Sequence, residues 1–133
     1  MPTRSKPYRV GRSATGLGLF ATTPIRRRAA VIEYCGPRIP TKLARELDRR
    51  RANKYLFEID HRWTIDGSPR TNLARYVNHA CRPNVEAVLH RGRMIYRALE
   101  DIPAGAEITI DYGEEHVTLY FKHGCHCRTC RRA

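Results

Sequence analysis

The chain has 133 residues, with 25 Lys plus Arg against 13 Asp plus Glu and a formal net charge of +12. That length fits one domain whose small core gains from a staple such as a metal site, and the charge attracts polyanions without choosing between nucleic acid, anionic membrane and acidic protein. No N-terminal apolar stretch and no membrane-length apolar run is present, which argues against a membrane partner and for a soluble, intracellular protein, cytoplasmic in a bacterium and nuclear in a eukaryote or a host.

Residues 1–7 are polar and basic and read as a flexible tail. Residues 8–10 read as a first short strand, and residues 17–21 and 30–34 as strands joined around Pro24. Residues 41–51 carry the clearest helix signal, with Thr41 as N-cap and Leu43 and Leu47 one turn apart. Residues 55–59 and 63–65 read as a hairpin across Asp60 and His61. Residues 73–77 read as a single helical turn. A second hairpin is expected from residues 86–89 and 94–98 across Arg91 and Gly92. A turn at residues 102–105 leads into a strand over 107–111, and residues 116–121 read as a short helix. Many short strands broken by turn signals predict a mostly-β domain and exclude a doubly wound parallel sheet.

Residues 16–21, GLGLFA, fit the dinucleotide fingerprint, but Thr22-Thr23-Pro24 interrupts the helix that fingerprint requires. The glycines therefore read as a turn or as a close approach of backbone. Cys125, Cys127 and Cys130 are spaced C-x-C-x-x-C, which points to tetrahedral zinc rather than to a disulfide framework. Three thiolates leave one coordination position, and Cys35, Cys81, His123 and His126 are all candidates for it. Residues 75–84, RYVNHACRPN, place the Asn78 amide beside the His79 imidazole. Residues 107–113, EITIDYG, alternate polar and apolar and end on Tyr112, whose phenol can donate or accept. Cys35, between Tyr34 and Gly36, reads as a small buried residue.

Taken in order, Gly16-Leu17-Gly18, Tyr34-Cys35-Gly36, residues 75–84 and residues 107–113 resemble the SET-domain family of protein lysine methyltransferases. Residues 125–130 resemble that family's post-SET zinc motif. The resemblance implies small curved β-sheets with a C-terminal pseudoknot that threads Tyr112 beside Asn78 and His79. It implies a SET domain over residues 8–115, with a short variable insert at about 41–72, and a post-SET zinc-binding segment over 116–133. It further implies that S-adenosylmethionine binds at Gly16, Leu17, Gly18, Arg75, Tyr76, Asn78, His79 and Tyr112. Cys81 becomes the fourth zinc ligand with Cys125, Cys127 and Cys130, and Cys35 is the spare thiol.

The implied reaction moves a methyl group to the ε-amine of a lysine in a protein substrate, such as a histone or another basic, DNA-packaging protein. In-line displacement makes orientation the main requirement. The amine must be neutral although its free pKa is about 10.4, and a desolvated channel beside a positive sulfonium lowers that value. Tyr34 and Tyr112 are the expected catalytic tyrosines, and with Ile110 they line the lysine channel. Ile110 stands where the family often carries Phe or Tyr, and its aliphatic side chain favours multiple methylation. The competing expectation is a non-enzymatic, basic, zinc-containing module that binds chromatin or nucleic acid through charge.

Overall fold

The computed structural model describes residues 6–113, 116, 117, 120, 121 and 125. It begins with β1 (Tyr8–Ser13), β2 (Gly16–Ala21), β3 (Ala30–Tyr34), β4 (Arg38–Pro40) and α1 (Thr41–Arg49). β5 (Leu56–Glu58) and β6 (Trp63–Asp66) precede a 3-10 turn at Leu73–Tyr76. β7 (Asn78–His79), β8 (Val85–His90), β9 (Arg93–Ala98) and β10 (Glu107–Ile110) complete the set. Among the described residues the strands form three small sheets, ordered β1-β2-β10-β7, β3-β9-β8 and β4-β6-β5. The mostly-β expectation holds. No helix among the described residues is long and apolar enough to cross a membrane.

Alternation explains the strands. Leu19 and Ala21 of β2, and Ile108 and Ile110 of β10, point into a core shared with Val77, Val85, Tyr96 and Ile102. The β8–β9 hairpin closes through Arg91 (φ 50) and Gly92 (φ 79), the two positive φ values of a type I′ turn. β7 and β4 have no sequence signal of their own, since two- and three-residue strands are too short to show a period.

β10 is the keystone. It pairs antiparallel with β2 (Glu107↔Phe20, Ile108↔Leu19) and parallel with β7 (Thr109↔Asn78, Ile110↔His79). Beyond β7 the chain keeps its grip on the same strand. The Ala80 amide donates to the Ile110 carbonyl at 3.0 Å, and the Asn84 amide to the Thr109 carbonyl at 3.2 Å. The Asn84 side chain donates to the Glu107 carbonyl and accepts from the Thr109 amide, both at 2.8 Å. This insertion of β10 between β2 and residues 78–84 is the expected C-terminal pseudoknot.

Several local expectations are corrected. Thr41 is not an N-cap: Pro40 holds that place, and no side chain among the described residues caps the helix. The Thr41 hydroxyl is fully buried, donates to the Asp60 carbonyl at 2.8 Å and lies 2.9 Å from the Thr64 hydroxyl. It fastens α1 to the β5–β6 hairpin instead. Leu43 is exposed, and Ala44 is the apolar side chain that α1 buries. The helix stops at Arg49 rather than Arg51, because Arg51 turns to a left-handed φ of 53. Cys35 is exposed rather than buried. Tyr34 faces inward at the end of β3, and strand alternation sends its neighbour outward. Of the basic N-terminal stretch, Lys6 and Pro7 are held by their carbonyls to Thr22, and residues 1–5 lie outside the described residues.

Replacing Asn84 by Ala removes two hydrogen bonds and leaves two ladder groups of β10 without their partner. Asn84→Ala is expected to lower unfolding stability by about 2 kcal/mol, read as a shift in the urea midpoint with unchanged slope.

Candidate active-site cleft

The β7–β10 pairing determines which side chains meet. The Asn78 amide nitrogen donates to the Leu17 carbonyl at 3.0 Å, to Glu107 Oε2 at 2.8 Å and lies 3.2 Å from Ser13 Oγ. It thereby ties β7 to both β2 and β10. Gly18 lies beneath this cluster, where a β-carbon would come within 2.6 Å of Glu107 Oε2 and make that carboxylate shift. Leu17 stays exposed.

One register step on, His79 sits with its side chain 4% exposed. Its Nδ1 accepts the Tyr112 backbone N–H at 2.9 Å. Tyr112 then packs between His79, tilted at a centroid distance of 5.4 Å, and His116, edge-on at 4.9 Å. Its hydroxyl donates to the Val77 carbonyl. Burial pulls the His79 pKa below its usual value against the opposing Asp111 carboxylate. Burial likewise pushes the Tyr112 phenol well above its ordinary range.

An aromatic wall faces this junction. The Tyr34 ring lies 5.2 Å from Phe57 and 5.9 Å from Tyr96. The Tyr34 hydroxyl donates to the Tyr55 carbonyl at 2.6 Å, the same carbonyl that accepts the Gly67 amide at 2.9 Å. Gly67 packs so closely on the Tyr34 ring and hydroxyl that any β-carbon there would overlap them. Asn72, fully buried, holds this loop in place. It donates to the Gly67 carbonyl at 3.0 Å and accepts the Cys35 amide at 3.2 Å. Burial raises the Tyr34 and Tyr96 phenols far above their usual pKa. The sequence alone does not mark Tyr55, Phe57, Gly67, Asn72 or Tyr96 as site residues. The Asp66-Gly67 dipeptide is the one local signal, and it reads only as a turn.

Tyr34, Tyr55, Phe57 and Tyr96 line a cleft of about 1610 Å³ together with His79, Tyr112 and His116. Of the residues expected to form the site, Leu17, Tyr34, Arg75, Tyr76, Asn78, His79, Ile110, Tyr112 and Cys125 line it. Gly16 and Gly18 do not; they shape the β1–β2 hairpin beneath it. Arg75 stacks over the Tyr55 ring at 4.2 Å and donates through Nη1 to the Ser68 carbonyl. Its buried Nε has no partner among the described residues, a donor that suits an anionic group of a bound ligand.

Behind His79 lies a second cluster. Cys81 Sγ is 3.6 Å from His79 Nε2 and 4.0 Å from Cys125 Sγ. The ligating atoms of all three residues lie within 4.8 Å of one another. Cys127 and Cys130, with His123 and His126, lie outside the described residues.

A profile of the SET domain matches residues 16–113. Among curated proteins, the chain is 36% identical over 125 residues to a histone-lysine N-methyltransferase, H3 lysine-4 specific, of Candida albicans. That match covers 86% of this chain and 12% of the relative. A protein of the same description from Saccharomyces cerevisiae is 36% identical over 119 residues, covering 82% of this chain and 11% of the relative. This chain thus spans a small fraction of those relatives. Among solved structures, a humanized mutant of the Chaetomium thermophilum Polycomb Repressive Complex 2 bound to the inhibitor GSK126 superposes with a TM-score of 0.70 at 31% identity. It covers 84% of this chain and 15% of that one.

Gly67→Ala tests whether the Tyr34 wall depends on that close approach. The variant is expected to lose about 1–3 kcal/mol of stability through overpacking, with a changed near-ultraviolet tyrosine signal. An unaltered signal and melting curve would show that the loop yields freely.

Proposed function

The chain belongs to the SET-domain family, and we propose that it transfers a methyl group from S-adenosylmethionine to a lysine ε-amine in a protein substrate. A histone is the first substrate class to test, in keeping with the relatives' activity, and in a eukaryotic cell that substrate would lie in the nucleus. The observation that carries the reading is the convergence of Tyr112, Tyr34 and Tyr96 with Leu17, Arg75, Asn78 and His79 on one cleft.

In this reading Gly16, Leu17, Gly18, Arg75, Tyr76, Asn78, His79 and Tyr112 form the cofactor side. The unpartnered Arg75 Nε and the exposed Leu17 suit a ligand with an anionic end and a flat apolar part. S-adenosylmethionine, when bound, supplies a methyl group activated by a positive sulfonium. Tyr34, Ile110 and Tyr112 form the lysine channel, and the rings of Phe57 and Tyr96 extend it. Their packing covers the aliphatic stem of the lysine and excludes water.

The two phenols act by position. Both have raised pKa values and both give their proton to a backbone carbonyl. They therefore stay protonated at working pH and are poor bases. Their oxygens keep lone pairs that can orient the amine and accept weak C–H···O contacts from the moving methyl. The amine loses its proton to solvent before attack.

The zinc assignment is Cys81, Cys125, Cys127 and Cys130. Two sulfurs on a tetrahedral zinc with bonds of about 2.3 Å stand about 3.8 Å apart, and Cys81 and Cys125 stand 4.0 Å apart. Such a site would secure the post-SET segment against β7 and leave the chemistry to the cleft.

Labelled S-adenosylmethionine incubated with histone H3 and with a mixed protein extract is expected to label protein lysine. Tyr112→Phe should lower kcat about 100-fold. The wild-type kcat/KM should climb about tenfold per unit from pH 7 to 9 as the free substrate amine deprotonates, with no break from the tyrosines. No Tyr112-dependent label on any lysine overturns the reading. For the metal, one equivalent of zinc is expected in wild type and less than half of one in Cys81→Ser after dialysis. Full retention with unchanged stability rejects Cys81 as a ligand.

A further inference from the structure

We infer that His79 is a positioning residue rather than a metal ligand: one neutral ring donates from Nε2 to the Cys81 sulfur while Nδ1 accepts the Tyr112 amide. The inference rests on the zinc reading above, and it gives that site a physical link to the tyrosine in the cleft.

The geometry leaves two roles for His79. Its Nε2 lies 3.6 Å from Cys81 Sγ, inside a cluster compact enough to hold an ion. As a ligand, Nε2 must offer a lone pair, so the ring proton must sit on Nδ1. But Nδ1 faces the Tyr112 backbone N–H at 2.9 Å. An amide N–H is always a donor and cannot rotate to become an acceptor. A proton on Nδ1 would set two hydrogens against each other across that distance. A metal-bound histidine ordinarily donates from its other ring nitrogen, and here the other nitrogen accepts.

The Asp111 carboxylate does not reverse this assignment. Asp111 Oδ1 lies 3.6 Å from Nδ1 and would attract a proton there. It is farther away than the amide, its side chain is 57% exposed, and it already accepts the Gly113 amide at 2.8 Å. The proton therefore belongs on Nε2, which faces Cys81. An N–H aimed at a thiolate stabilises its negative charge and fixes its direction. Because the ring is 4% exposed, water does not compete for either nitrogen. A displacement of Cys81 is thus transmitted through one rigid ring to the Tyr112 backbone.

The experiment uses the zinc-loaded full chain. Long-range proton–nitrogen correlation on wild type is expected to show His79 protonated at Nε2 only. A proton on Nδ1 overturns the inference. Two variants then separate the two ends of the ring. The amide of Asn falls near Nδ1, and that of Gln near Nε2.

His79→Asn should weaken zinc affinity about tenfold or more, measured by chelator competition. It should preserve slow hydrogen exchange at the Tyr112 amide. His79→Gln should keep zinc affinity within about threefold and accelerate exchange at Tyr112. Equal zinc affinity in wild type, His79→Asn and His79→Gln rejects the link to Cys81. A wild-type chain that binds no zinc ends the metal assignment and this inference with it. A chain that binds zinc with a proton on Nδ1 removes this inference alone. Neither readout depends on methyl transfer.

Discussion

The parallel pairing of β7 with β10 is the constraint on which the site depends. It aligns Thr109 with Asn78 and Ile110 with His79, and the remaining contacts follow from that register. The Asn78 amide can then reach the Leu17 carbonyl and the Glu107 carboxylate, so β2 is drawn into the same junction. Tyr112 emerges two residues beyond the strand with its amide against His79. A slip of one residue would turn Ile110 out of the core and send Tyr112 away from the cleft. Asn84 guards against such a slip, because its side chain occupies a donor and an acceptor of β10 at once.

The aromatic wall uses a different principle. Tyr34, Tyr96 and Tyr112 are all buried phenols with raised pKa values. A buried phenolate would be costly, so these groups hold their protons. Tyr34 and Tyr112 spend them on backbone carbonyls, which removes the freedom of the hydroxyl to rotate. Such an arrangement favours catalysis by fixed geometry over catalysis by proton transfer. Asn72 and Gly67 belong to this machinery although neither lines the cleft.

Legibility in the sequence followed the range of the interaction. Strands β2, β3, β8, β9 and β10 alternate or follow turn residues, and each was readable within a window of several residues. The blocks around Asn78-His79 and Asp111-Tyr112 were readable as a family pattern. Thr41 misled because its hydroxyl meets Asp60 and Thr64 across the hairpin, a partner choice that local helix rules do not contain. Leu43 misled because helical spacing marks a face without saying which way it turns. Tyr55 was hidden because it contributes a backbone carbonyl, which every residue has, and a ring stacked under Arg75, far away in sequence. Gly67 matters for the atoms it lacks, and Asn72 for its position between two loops. Phe57 and Tyr96 carried only generic core signals.

The insertion of β10 also bears on how the molecule comes to exist. Glu107 and Ile108 pair with Phe20 and Leu19, at opposite ends of the chain, and β10 must also find its place beside residues 78–84. Contacts this distant in sequence close late and slowly, because loop entropy must be overcome before they reward it. During synthesis the inner edge of β2 waits without its neighbour until residue 110 has left the ribosome. For that interval Leu19 and Val77 lack Ile108, and the nascent domain is most exposed to aggregation and to proteases. The strand that assembles the cleft is thus also the one that ends the chain's vulnerable period.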